Sequence, residues 1–255
     1  MLVTREAYLS QCQWPDLRAP YTEALREAVS FILTHFEDVL GIITSGTILR
    51  GEAAPSSDLD IYVVRQKLQR QRLQRFFNGV PAEIFVNPVP KILQYFDEER
   101  KQGRPLTAHM MVTGHTVLEL SSKVSMLRQK ARESLALPPN FDDQRLMFAR
   151  YGAATRYEDA LDIVLTCPAT STMILDLAVH DMLVYYFMKA NRYIPRDKDL
   201  FVELRALDSE LGRLAREFYD AGDMQTRLTL AEQIADRSIE THGFFVWESS
   251  PEDVS

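Results

Sequence analysis

The 255-residue chain predicts an α+β protein, with a small mixed sheet and its helices in the N-terminal half followed by an α-helical bundle. Three observations predict this. Between Val39 and Val64 two apolar strand patterns flank a polar turn that carries glycine. Pro138-Pro139 breaks the chain just past its middle. From Phe141 onward the pattern is helical almost throughout, with breaks at Pro168, Pro195 and Gly222. The expected domains are therefore 1–137 and 138–255.

The elements follow in order. Residues 1–19 read as irregular, with Pro15 and Pro20 as breakers. Tyr21 to Phe36 places Leu25, Val29, Ile32, Leu33 and Phe36 near helical spacing, just after Pro20. Val39 to Thr44 is an apolar strand. Gly46, Thr47 and Gly51 then form a turn, Pro55, Ser56 and Ser57 a loop, and Asp58-Leu59-Asp60-Ile61 the alternation of a second strand. Arg65 to Phe77 reads as a helix with Leu68, Leu73, Phe76 and Phe77 inward. Its Arg65, Lys67, Arg70, Arg72 and Arg75 then make a solvated outer face, the most basic run of the chain. Asn78-Gly79 is a turn signal, and Val80 to Val86 a short strand. Ile92 to Phe96 continues as a helix ending near Gly103, Thr107 to Leu120 is apolar around Gly114, and Val124 to Leu135 is a helix. Bundle helices are expected at 141–165, 171–191, 198–206, 208–221 and 225–241. The helix 171–191 is apolar nearly all round, which predicts a place in the middle of the bundle.

Composition narrows the function classes. A hydrophobic content of 46% with 25% charged residues is that of an ordinary globular protein. The net charge of −7 argues against non-specific nucleic-acid binding, which needs a basic surface. Cys12 and Cys167 lie far apart and make no metal-type spacing, as in a reduced, intracellular chain. The N-terminal residues lack the basic and apolar regions of a signal peptide. Asp176, His180 and Asp181 interrupt the most apolar stretch, Met173 to Met188, so it reads as a core helix and not a membrane span. A cytoplasmic protein with no membrane partner is the expectation.

The chemistry is concentrated around Asp58 and Asp60. Residues two apart in a strand face the same way, so two carboxylates stand together while Leu59 and Ile61 enter the core. Asp is a poor strand former, and like charges at short range raise each other's pKa. A divalent cation such as Mg2+, commonly held by one or two carboxylates plus substrate phosphates, removes the conflict. The glycine-bearing turn just upstream offers backbone N–H groups to a phosphate. Together these features point to phosphoryl or nucleotidyl transfer; the alternative is an Asp pair at a solvated strand edge. Glu83 is an acid inside an apolar strand, costly to place there without a partner.

The stretch from Gly46 to Asp60, G-T-I-L-R-G-E-A-A-P-S-S-D-L-D, resembles the signature of the DNA-polymerase-beta-type nucleotidyltransferase superfamily. That signature is a Gly-Ser pair, a spacer and D-x-D. Here Gly46-Thr47 stands for Gly-Ser and keeps the hydroxyl, and the resemblance covers roughly residues 23–87. The layout is similar to small bacterial enzymes with a C-terminal helical domain, such as aminoglycoside adenylyltransferases. The resemblance implies that Asp58, Asp60 and Glu83 hold Mg2+, with Glu83 also a proton acceptor. It implies that Gly46, Thr47 and Ser57 bind the nucleotide, and that Lys198, opening a helix after a Pro-bearing turn, reaches the donor's phosphates from the second domain. The implied reaction moves an NMP, AMP from ATP in the first instance, onto a hydroxyl in the cleft between the domains. A small hydroxylated acceptor suits the acidic chain, with Glu158, Asp159 and Asp162 as contacts. The alternatives are transfer to a protein or RNA, as in antitoxin-like partners, and a non-catalytic nucleotide-binding module. Two Arg-x4-His patterns, Arg104 to His109 and Arg237 to His242, and the pair His180-Asp181 carry no further assignment.

Overall fold

Alternation along the strands decides which side chains reach which face of the sheet. The computed structural model describes residues 5–249 and residue 251. Its strands are β1 (Val39–Ser45), β2 (Leu59–Arg65), β3 (Gln71–Phe77), β4 (Val80–Pro88) and β5 (His115–Glu119), in the order β3-β4-β2-β1-β5. β2 and β4 run parallel, and the other neighbours are antiparallel, so the sheet is mixed as expected. α1 (Arg5–Leu9) and α2 (Tyr21–His35) cover one face; α3 (Val89–Gln102), α4 (Leu106–Thr113) and α5 (Lys123–Leu135) cover the other. Leu59, Ile61 and Val63 pack with Ile84 and Val86 toward α2. Tyr62 and Val64 pack with Ile92, Met111 and Leu127 on the opposite side. Asp60, two residues before Tyr62, belongs to that second face.

Two expectations for this half are corrected. Arg5–Leu9 is a short helix where irregular chain was expected. Arg65 to Phe77 is not a helix: Arg65 ends β2, and Gln71–Phe77 is a strand paired with β4. Asn78 and Gly79 have φ of 45° and 76°, the left-handed pair that a two-residue hairpin turn requires. The physical reason for the misreading is that β3 is an edge strand. Only Phe77 is buried in it, so no period-two burial marks it, and Arg and Gln are good helix formers. Nor is Arg65 on a solvated face. It pairs with Asp38 at 2.7 Å, and Asp38 also accepts from the backbone N–H of Gln66 and Lys67, tying the end of β2 to the residue before β1.

The chain divides into two compact units, one running to Arg100 plus Pro105–Leu137, the other Lys101–Arg104 plus the chain from Pro138. The second unit contains α6 (Asp143–Asp162), α7 (Pro168–Lys189), a short 3-10 turn (Asp197–Asp199), α8 (Leu200–Leu207), α9 (Ser209–Asp220) and α10 (Met224–Ser238). Asp142, Asp208 and Asp223 start three of these helices, each accepting a backbone N–H of the first turn. α7 enters through Pro168, whose missing N–H costs nothing in the first turn. Leu175, Val179, Met182 and Leu183 of α7 are fully buried, but Met173 and Leu177 are 57% and 50% exposed. The helix is therefore not buried all round: one stripe faces solvent. Among the described residues no helix is long and apolar enough to cross a membrane.

Candidate functional site

The antiparallel return of β1 into β2, and the parallel pairing of β2 with β4, bring three acids together. Asp60 lies opposite Glu83 in the β2–β4 register, and Asp58 precedes β2. One carboxylate oxygen from each of Asp58, Asp60 and Glu83 lies within 4.8 Å of the others, and all three residues are half-buried. Burial, then the negative charges of Asp58 and Glu83, pushes the Asp60 carboxyl up to about 6. Nearby Arg50 and Arg72 offset only part of that.

Glu83 does have partners, and they come from the strand misread as a helix. Its Oε1 accepts from Arg72 Nε at 2.7 Å and from Gln74 Nε2 at 3.0 Å. Gln74 is directly opposite Glu83 in the register, and Arg72 also lies 4.9 Å from the Phe85 ring centroid. Sequence reading missed both residues. The available signal was Asn78-Gly79, which joins strand to strand far more often than helix to strand. Ser45 was missed as well. It pairs with Asp60 across β1–β2, is 4% exposed, and its Oγ has no hydrogen-bond partner among the described residues.

The turn is shaped by its own acid. Gly46 has φ +95°, a backbone that favours glycine, and a Cβ there would sit 2.6 Å from Asp60 Oδ2 and displace that carboxylate. Thr47 Oγ1 and Ser57 Oγ are 3.1 Å apart, and Ser57 Oγ accepts from Ala54 N at 2.8 Å. The N–H groups of Gly51, Glu52 and Ser57 also bond within the loop. Gly46, Thr47 and Ser57 are thus adjacent to the acids, with the loop braced across its neck.

Lys198 lies in the helical unit, exposed in the turn Asp197–Asp199, whose two acids pair with Arg104 and Arg196. Glu158, Asp159 and Asp162 are exposed on α6. His180 stands 3.8 Å from Asp181 and 3.7 Å from Asp197, and Asp181 also pairs with Arg156. Of the Arg-x4-His arginines, Arg237 is held by Asp208 and Arg104 by Asp197.

The donor set fits a hard cation. It is all oxygen and crowded with negative charge, as Mg2+ sites are, and lacks the thiolates and imidazoles that favour zinc or copper. Among the described residues no other three His, Cys, Asp or Glu side chains come this close.

No protein-family model and no curated protein sequence matches the chain. Among solved structures, it is similar to the nucleotidyltransferase-like protein from Exiguobacterium sibiricum 255-15, with a TM-score of 0.52 and 11% identity. The match covers 85% of this chain and 73% of that one. At this identity the likeness is one of fold: the chain has a nucleotidyltransferase-like α+β fold.

Proposed function

We propose that the protein transfers a nucleoside monophosphate, AMP from ATP in the first instance, to a hydroxyl group of a small molecule. The acceptor oxygen forms a bond to the α-phosphorus, the bond from that phosphorus to the β-bridging oxygen breaks, and pyrophosphate leaves. One observation carries this reading: three carboxylates converge within 4.8 Å, and burial, with the charges of Asp58 and Glu83, pushes Asp60 up to about 6 against the partial offset from Arg50 and Arg72.

Asp58, Asp60 and Glu83 would hold Mg2+, which when bound supplies positive charge to the phosphates and the departing pyrophosphate. The remaining work belongs to the chain. Arg72 and Gln74 fix the direction of Glu83, to which we assign the acceptor's proton. Gly46 lets the turn pass close to Asp60. With the N–H groups of Gly51, Glu52, Ala54 and Ser57 used inside the loop, phosphate binding falls to the segment 46–49 and the hydroxyls of Ser45, Thr47 and Ser57. Lys198 is proposed as a phosphate contact on the resemblance of its position alone, and a cytoplasmic location is proposed from the two free cysteines, Cys12 and Cys167.

The test is incubation of the protein with labelled NTPs, Mg2+ and a pool of cell metabolites, proteins and RNA. The expected result is label on a small hydroxylated compound, with pyrophosphate released, and loss of both in Asp58→Asn and Asp60→Asn. Label on protein or RNA would replace the acceptor class. No label anywhere, with no pyrophosphate, would contradict transfer itself.

A further inference from the structure

A cavity of about 380 Å³ lies on the same face of the sheet as the acids. Strand alternation puts Asp60 and Tyr62 of β2, and Glu83, Phe85 and Asn87 of β4, on that face. Asn87 is four residues beyond Glu83, about 13 Å along the strand. That span is comparable to the reach of a nucleotide from its α-phosphorus to the far edge of its base.

The floor is rich in hydrogen-bond acceptors. Asn87 Nδ2 donates to Tyr62 Oη at 3.0 Å, which leaves Asn87 Oδ1 its lone pairs. The carboxylate of Glu99 accepts from Thr107 N at 2.7 Å and Thr107 Oγ1 at 2.6 Å, and each oxygen can take one more bond. Such a floor calls for a ligand edge that donates N–H. Aromatic and apolar side chains, Phe85, Tyr95 and Leu106, share the lining. Phe85 stacks on Tyr62 at 6.0 Å and 14° with Arg72 over its ring, and Tyr95, with Lys91 Nζ 4.4 Å from its ring centroid, also lines the cavity. Arg70 and Arg72 form the rim, Arg70 donating to Tyr95 Oη at 2.6 Å. A cationic rim suits an anionic end. Arg72 touches both sites, bonding Glu83 and lying over Phe85.

We infer that this cavity binds the base of a nucleotide that carries an exocyclic amine, the amine on Asn87 and Glu99 and the ring beside the lining side chains Phe85, Tyr95 and Leu106. The phosphate end then extends past Arg72 toward the acids. The inference deepens the transfer reading, and the nucleotide is either the donor or an acceptor of the same chemistry.

The experiment is isothermal titration with AMP and IMP in EDTA, so that neither metal nor turnover enters. AMP should bind at least about tenfold more tightly than IMP, since a polar site with unpaired acceptors rejects the analogue without the amine. Leu106→Trp fills the cavity from a position 57% exposed, and Tyr95→Ala removes a wall. Both should weaken AMP by about tenfold or more, with thermal unfolding reported alongside to show that each variant is folded. Equal affinity for AMP and IMP, no AMP binding, or an unchanged AMP affinity in folded Leu106→Trp would overturn the inference. With Mg2+ and a non-hydrolysable ATP analogue present, displacement of AMP assigns the cavity to the donor, and binding alongside assigns it to the acceptor. A protein that binds AMP selectively but transfers nothing keeps this inference and loses the transfer reading. One that transfers without selecting the amine does the reverse.

Discussion

Asp60 and Asp208 are two partly buried carboxylates that the chain treats in opposite ways. Asp208, in the helical unit, accepts from Arg237 Nε at 2.7 Å and Nη2 at 3.0 Å, from Tyr186 Oη at 2.8 Å, and from the N–H of Glu210 and Leu211. Burial works to raise it, but Arg237, the Leu211 N–H and Tyr186 outweigh burial and hold it down at about 2. Asp60 gains no such set. Burial leads, Asp58 and Glu83 add to it, and the carboxyl rises to about 6. The first acid is a fastening of the fold, starting α9 and clamping it to α7 and α10. The second is an unpaid charge that the sheet tolerates, and a group from outside the chain is what would settle it.

The largest effect should come from breaking the satisfied acid. Asp208→Ala removes a helix cap and a charged network, and should cost about 3 kcal/mol at neutral pH in denaturant unfolding. Because the folded pKa is depressed, this contribution is present above the ordinary carboxylate range and is lost as pH falls from about 4 toward about 2. The mutant and wild type should therefore converge in acid; a constant gap would remove the charge argument.

Gly46→Ala comes next. The new Cβ meets Asp60 Oδ2 at 2.6 Å in a backbone with φ +95°, so a loss on the order of 1–2 kcal/mol is expected. Unchanged stability would show that the turn relaxes freely and that Asp60 is not confined.

Asp60→Asn should do the opposite of Asp208→Ala. In EDTA at pH 8 it should stabilise the protein by on the order of 1 kcal/mol, because it deletes a repelled charge. The folded state holds the Asp60 proton more tightly than the unfolded state, so wild-type stability rises as pH falls from about 6 toward about 4, and the gap should close across that window. A destabilised mutant at pH 8 would mean that the carboxylate is already satisfied.

The smallest effect on stability belongs to Arg72→Ala. Its side chain is 65% exposed, so less than about 1 kcal/mol should change. Its charge lowers the Asp60 carboxyl, so removal should move the Asp60 titration, followed by carboxyl NMR, to higher pH. A shift the other way would reverse the reading of Arg72.

How much of this was legible depended on whether a residue's burial leaves a trace in its neighbours. Asp58 and Asp60 were legible because Leu59 and Ile61 alternate with them and a glycine turn precedes them. Glu83 stood out as an acid among Ala82, Ile84 and Val86. The bundle helices were legible from period and from breakers such as Pro168 and Gly222. β3 was not, since an exposed edge strand of Gln and Arg has no inward face to show. With it went Arg72 and Gln74, the groups that orient Glu83. Ser45 could not be singled out, because an unpartnered hydroxyl is visible only once its surroundings are. The exposed Met173 and Leu177 on α7 show the converse limit: a helix apolar on nearly every side does not reveal which of its faces will be covered.

The most direct test of the central claim, that the three acids form a divalent-cation site, is titration of the metal-free protein with Mn2+ by electron paramagnetic resonance at pH 7.5. The wild type should bind Mn2+, with affinity falling by about tenfold or more in Asp60→Asn, and falling likewise in the wild type at pH 5, where Asp60 is protonated. No Mn2+ binding by the wild type, or equal binding by Asp60→Asn, would contradict it.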